Sequence, residues 1–255
     1  MKEKIYTIPV NDAYDTDCEC PLCLLESRLE EQEVEYCLGA AMMEPDFRVD
    51  SNKTGYCRRH FSMMLDKPKK LPLALVLDTH LDDVRQTIDK LCDKAEKLSS
   101  AKRGLFNKNG TDKTAAELTS FLTTLGDSCV ICKKTAHTMD RYADVLLYMW
   151  AEDDAFREKF DRSKGVCLKH FKLLVDTLPK SLKGEKADSF LAALLKKEKQ
   201  ELKRIQEDIH KFTLKFDYRN QAMDWGTAKD APLRTIEKLD GYIYSPDTES
   251  ETPKL

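Results

Sequence analysis

The chain has 255 residues, of which 34% are charged and 41% apolar, with a net charge of −3. This length suits one large domain or two ordinary ones. The near-balanced charge gives no whole-molecule field that would draw DNA, RNA or anionic lipid. No run approaches the ~18 apolar residues of a membrane span. Nine cysteines, an odd number, follow an N-terminus with no apolar h-region, which fits thiol chemistry in a reducing cytoplasm better than a secreted disulfide framework.

In chain order, residues 5–10 have a strand-like pattern. Cys20-Pro21-Leu22-Cys23 follows, and then an apolar stripe at Leu25, Leu29, Tyr36, Cys37 and Ala40 that predicts a helix. After a variable loop comes Gly55-Tyr56-Cys57-Arg58-Arg59-His60-Phe61, with a short helix expected to stop near Pro68. A long helix is predicted over 72–98, a Gly/Asn-rich linker over 99–112 and another helix over 113–125. The sequence then repeats its plan. Cys129-Val130-Ile131-Cys132 precedes a stripe at Met139, Ala143, Leu146, Leu147 and Trp150. Gly165-Val166-Cys167-Leu168-Lys169-His170-Phe171 precedes a short helix to Pro179 and a long one over 187–215. An aromatic arm with Phe216, Tyr218 and Trp225 leads to a short helix begun by Asp230-Ala231-Pro232. The tail, 245–255, is polar and expected to be disordered.

The two halves align at an offset of 109 from Cys20 to Phe47 and 110 from Gly55 to Asp66. Matched pairs outside the cysteines include Phe47/Phe156, Arg48/Arg157, Gly55/Gly165, Phe61/Phe171 and Asp66/Asp176. Duplication explains this register. The fold class is therefore all-α, a tandem repeat of two metal-stapled helical units. The expected division is repeat one at 1–111, repeat two at 112–215, and a C-terminal arm and tail at 216–255.

Each copy offers three thiols and one imidazole, the ligand set of a closed structural zinc site. Two cysteines with two residues between them can turn both sulfurs toward one ion. In Cys57-x-x-His60 the i, i+3 spacing puts sulfur and imidazole on one face of a helical turn, and the glycine two residues earlier can take the backbone angle that starts it. The expected ligands are Cys20, Cys23, Cys57 and His60 in one site and Cys129, Cys132, Cys167 and His170 in the other, with two zinc ions per chain. Three thiolates and a neutral imidazole leave a negative site, which Arg48, Arg58, Arg59, Arg157 and Lys169 could offset. Metal-free reduced cysteines and a Cys₃His iron–sulfur cluster are the competing readings.

Cys18, Cys37, Cys92, His80, His137 and His210 have no like residue in the other copy. Cys37 and Cys92 are expected to be small buried apolar side chains, while Cys18 could substitute as a ligand. No open-coordination zinc motif, phosphate loop, nucleophile elbow or H-E-x-x-H is present. Lysines and acids interleaved over 196–215 read as a solvated helix face with i, i+4 pairs.

Several segments together carry a resemblance: residues 6–14, Glu19 to Cys23, Gly55 to Phe61, Phe216-Asp217-Tyr218-Arg219 and Ala231-Pro232-Leu233-Arg234. The chain resembles an uncharacterised bacterial, clostridia-type family with no assigned activity. That implies a bacterial, cytoplasmic setting and supplies no substrate or catalytic residue. The leading expectation is a non-enzymatic binding or scaffold module with a protein partner, its surface a groove between the repeats closed partly by the arm near Tyr218 and Trp225. The competing reading of the arm is that it completes the core. Two other functions stay open: a thiol-based switch that releases zinc on oxidation, and a nucleic-acid-binding zinc module.

Overall fold

In the computed structural model the described residues are 6–100, 110–220 and 222–244. Among them the chain forms eleven α-helices and no strand. These are α1 (Thr7–Asp15), α2 (Pro21–Cys37), α3 (Pro45–Thr54), α4 (Arg58–Asp66), α5 (Lys70–Ser100), α6 (Gly110–Asp127), α7 (Val130–Glu152), α8 (Asp154–Arg162), α9 (Leu168–Ser181), α10 (Gly184–Leu214) and α11 (Ala231–Asp240). The long helices α5 and α10 have 31 residues each, or about 46 Å at the α-helical rise. None of the described helices is long and apolar enough to cross a membrane. Residues 101–109, most of the expected linker, and 245–255, the expected tail, lie outside the described residues.

The strand-like segment at the start is helical instead. Val10, Ala13 and Tyr14 are its buried residues, at i, i+3 and i+4, while Ile8 faces out. Pro9 falls in the first turn, where its missing N–H removes no helical bond. Pro179 likewise does not end α9, which runs on to Ser181. The stretches between each CxxC helix and each CxxH hold two further helices, α3 and α8. Pro45 opens α3, and the Asp153 carboxylate accepts from the N–H groups of Ala155 and Phe156 to cap α8. Their matched phenylalanines, Phe47 and Phe156, are buried. The matched arginines do not serve the metal sites: Arg48 donates to Met42 O and Thr79 Oγ1, and Arg157 to Trp150 O and Ala151 O. Each satisfies a carbonyl at the end of the preceding helical segment.

The helices group into two compact units that cut across the expected repeat boundaries. Among the described residues, the terminal unit joins 6–29 to those of 136–244, and the central unit holds those of 30–135. The borders fall inside α2 and α7, and the arm belongs to the terminal unit.

The terminal unit has a dense core. Tyr14 meets Phe156 edge-on at 5.1 Å and Phe160 at 6.2 Å, and Trp150 meets Phe190 at 5.1 Å. The arm packs α11 against α9 and α10, burying Ala228, Ala231 and Lys238. Phe216 and Tyr218 are instead 75% and 79% exposed, and Trp225 rests on Phe212 at 5.4 Å. The acids of α10 also depart from a solvated face. Glu198, Glu201 and Asp208 are buried, engaging Lys238, Arg204 and Arg234 respectively; only Lys203 with Glu207 forms an exposed i, i+4 pair along this helix.

The central unit packs α3, α4 and α6 on α5 more sparsely. On α5 only Leu73 and Val76 are buried, and on α6 no residue is. Aromatic pairs Tyr36–Phe47 and Tyr56–Phe61, both at 5.5 Å, supply much of what it buries near α3 and α4.

Lys238 is wholly buried, 2.9 Å from Glu198 Oε2, and donates to Lys164 O. Glu198 Oε1 accepts from Val166 N–H at 2.7 Å. Burial pushes the Glu198 carboxyl up, against the pull of Lys238. Lys238→Met therefore leaves an acid in the core without its cation and is expected to cost about 3–5 kcal/mol in chemical denaturation. Adding Glu198→Gln, which keeps an acceptor for Val166, should recover most of the loss; a double variant no more stable than the single would contradict this account.

Candidate metal centres

The eight expected donors gather in two groups of four, but not within the repeats. Cys20, Cys23, Cys167 and His170 form the terminal cluster; Cys57, His60, Cys129 and Cys132 form the central one. The CxxC of each repeat is completed by the CxxH of the other, so the within-repeat ligation expected from the sequence is corrected. Each CxxC opens α2 or α7, and the CxxH that meets it opens α9 or α4.

The spacing is that of a tetrahedron. Sγ of Cys20, Cys23 and Cys167 lie 3.5, 3.4 and 3.2 Å from Nδ1 of His170, and Cys23 Sγ is 3.5 Å from Cys167 Sγ. In the central cluster Cys57, Cys129 and Cys132 lie 3.2, 3.3 and 3.4 Å from Nδ1 of His60, with Cys57 Sγ 3.7 Å from Cys132 Sγ. A tetrahedral ion with ordinary zinc bond lengths requires S···N edges of about 3.6 Å and S···S edges of about 3.8 Å. None of these cysteines is in a disulfide. Each cluster could hold one metal ion.

The two halves of each site are built by local backbone chemistry. At each knuckle the second cysteine's N–H points at the first sulfur: Cys23 N to Cys20 Sγ at 3.4 Å and Cys132 N to Cys129 Sγ at 3.5 Å. At each CxxH, Gly55 (φ 69°) and Gly165 (φ 73°) make the left-handed turn assigned to them. A Cβ at Gly165 would fall 2.4 Å from Glu198 Oε1, so the site also demands glycine sterically. Cys57 and Cys167 then sit at the N-caps of α4 and α9 with nearly identical angles, where the helix dipole favours a thiolate. In the central unit Val130 N–H donates to Gly55 O and Ser128 Oγ to Thr54 O, tying knuckle to knuckle. The position matching Val130 is Pro21, which has no N–H to do the same.

Protonation follows this layout. Donation by Cys129 and Cys132 holds the Cys57 thiol far below its ordinary value, and donation by Cys20 and Cys23 does the same for Cys167. Sharing a proton with those partners pushes Cys132 and Cys23 up. Burial opposes a charge on His60, but its hydrogen bonds to Cys129 and Cys57, with the Glu30 carboxylate close by, overcome it and raise the imidazole to about 11. Without an ion the groups divide protons among themselves; a bound cation takes the place of those protons.

Behind each imidazole stands a carboxylate that the sequence reading missed. His170 Nε2 lies 3.5 Å from Glu26 Oε2, and Glu26 is held by Lys169 Nζ at 2.7 Å. His60 Nε2 lies 3.5 Å from Glu30 Oε1, and Glu30 is held by Arg59 at 2.8 Å. These are carboxylate–histidine arrangements of the kind that orient metal-bound imidazoles. Arg59 and Lys169, expected beside the clusters as basic groups, each pair with the carboxylate behind the imidazole. Glu26 and Glu30 both belong to α2, so they do not match under the repeat offset, which is why the internal alignment could not reveal them.

The clusters differ in cover. All four terminal donors are buried, whereas Cys132 is exposed and Cys57 half-buried. The end of the arm accounts for part of this: a Cβ on Gly241 would lie 3.6 Å from Cys23 Sγ and 3.8 Å from Cys167 Sγ, and the Tyr242 backbone hydrogen-bonds Cys23. The remaining cysteines stand apart from both groups. Cys18 is half-buried and not a member of the terminal cluster; burial pushes its thiol up to about 11. Cys37 is buried as expected, but Cys92 is exposed. Among the histidines without a counterpart, His80 bonds Asn52 O through Nδ1 at 2.8 Å.

The chain belongs to a family of unknown function, DUF6062, whose model matches residues 1–246. Comparison with curated proteins and with solved structures gives no match.

Cross-repeat grouping has a stoichiometric signature. Cys23→Ser and the double variant Cys23→Ser/Cys167→Ser should each lose one metal equivalent, because both residues face one site. Cys23→Ser/Cys57→Ser should lose both. Within-repeat ligation would give the reverse pattern for the two doubles, and metal analysis after gel filtration distinguishes them. Glu26→Ala and Glu30→Ala should each weaken metal affinity at their own site by about 10–100-fold in chelator competition.

Proposed function

We propose that both clusters hold Zn²⁺ and that the protein is a non-enzymatic, zinc-stapled helical module that binds a protein partner in the cytoplasm. The observation that carries this is the gathering of eight donors into two Cys₃His groups, each with all donor atoms within 4.8 Å of one another. That space suits one ion rather than a multi-iron cluster, and mixed sulfur–imidazole tetrahedra favour zinc. Four protein donors fill the tetrahedron, which is the structural form of a zinc site and keeps no position for a reacting water. Thiolate ligands suit a reducing compartment.

The ions have a clear physical task. Each joins two helix starts distant in sequence, and structural zinc contributes on the order of 10–16 kcal/mol in small domains. The central unit, with few buried residues on its long helices, stands to gain most.

Protein purified without added metal is expected to carry close to two zinc equivalents. A value near zero, or an iron–sulfur absorption band, would overturn the zinc assignment. Cys167→Ser should lower the melting temperature much more than Cys92→Ser, because the first removes a buried donor and the second an exposed thiol. Affinity capture with the intact protein and with its metal stripped is expected to recover a partner only with the intact form.

A further inference from the structure

We infer that the central cluster is an oxidation-sensitive, exchangeable metal site, with Cys132 as its point of attack, while the terminal cluster is permanent. The inference rests on zinc occupancy of both clusters and goes beyond it by giving them different jobs. Four observations support it. Cys132 is exposed and Cys57 half-buried, whereas Cys20, Cys23, Cys167 and His170 are all buried. The arm turn at Gly241 and Tyr242 closes over Cys23 and Cys167 in the terminal site. The two accessible sulfurs of the central site are also neighbours, with Cys57 Sγ 3.7 Å from Cys132 Sγ. Finally, the unit around them has little other core, since α5 buries only Leu73 and Val76 and α6 buries none.

The chemistry needs a two-electron oxidant, a hydroperoxide. The Cys132 thiolate attacks the near peroxide oxygen; an S–O bond forms, the O–O bond breaks, and the departing oxygen leaves as water or an alcohol after taking a proton. Cys132 is then a sulfenic acid. The Cys57 thiolate attacks that sulfur, an S–S bond forms, and hydroxide departs and is protonated to water. Two electrons have passed from two sulfurs to the peroxide. The pair has withdrawn two of the four donors, so the site can no longer retain its ion, and the helices it joined are freed. A dithiol reductant reverses the step by exchange. The terminal sulfurs can make the same bond only after the arm lifts.

The test uses the full-length protein loaded with zinc. Limiting hydrogen peroxide is added in the presence of a chromogenic zinc chelator. One of the two equivalents is expected to appear, and dithiothreitol with added zinc should restore it. Mass spectrometry of the oxidised wild-type protein should find a Cys57–Cys132 linkage, a readout that does not depend on any variant folding. Hydrogen exchange should rise over α3 to α6 and stay low in α9 and α10. Cys132→Ser should remove the peroxide-released equivalent. Release of both equivalents together, first release from the terminal site, or a disulfide elsewhere would overturn the inference while leaving zinc occupancy intact. A protein that takes up no zinc would overturn occupancy and, with it, this proposal.

Discussion

Everything else in the molecule depends on the exchange of ligands between the repeats. A CxxC knuckle alone offers two sulfurs, and a CxxH turn a sulfur and a nitrogen. Either is a weak chelate. Joined across the sequence they become two four-donor clusters, each bringing together the starts of two helices. A metal there would tie the start of α2 to the start of α9 and the start of α7 to the start of α4. The left-handed glycines, the knuckle N–H···S bonds and the Glu26 and Glu30 carboxylates all serve this geometry.

The two units then solve the remaining problem of burial differently. The terminal unit has large aromatic contacts and an arm bolted down by charges. Glu198, Glu201 and Asp208 face inward because Lys238, Arg204 and Arg234 meet them there. Such pairs fix one arrangement among many more than they add net stability. The Lys238 and Arg234 pairs hold α11 where the turn after it lies over two sulfurs. The central unit buries fewer residues on its long helices, so a metal at its cluster would contribute a larger share of its cohesion.

Much of this was readable in the sequence, and the limits have physical causes. The donors, the helical class and the long helices follow from residue type and a period of 3.6. Which CxxC meets which CxxH does not, because the spacing rules describe each knuckle and say nothing of the chain between them. The helix at α1 was masked by a short apolar run that fits a period of 2 as well as 3.6. Helices α3 and α8 were lost inside an apparent loop, although Pro45 and Asp153 were available as start signals. Residue type alone suggests burial for Cys92, yet α5 is too thinly covered to bury it. Glu26 and Glu30 resist alignment, since both come from one helix and serve opposite repeats.

Ligand exchange also sets a problem in time. The partners of the terminal cluster are 144 to 150 residues apart, and those of the central cluster 69 to 75. The second span is nested inside the first. During synthesis Cys20 and Cys23 emerge with Cys57 and His60 as the nearest complementary turn, and this within-repeat chelate is available well before His170 exists. Each doubling of a loop costs only about 0.6 kcal/mol, so the early pairing has little thermodynamic advantage over the native one, but it has precedence. The chain must either keep its first knuckle free of metal until its end is made or open a misplaced site afterward. An accessible, readily exchanged central cluster is suited to the second course: Cys57 and His60 can give up a wrong partner and take the right one.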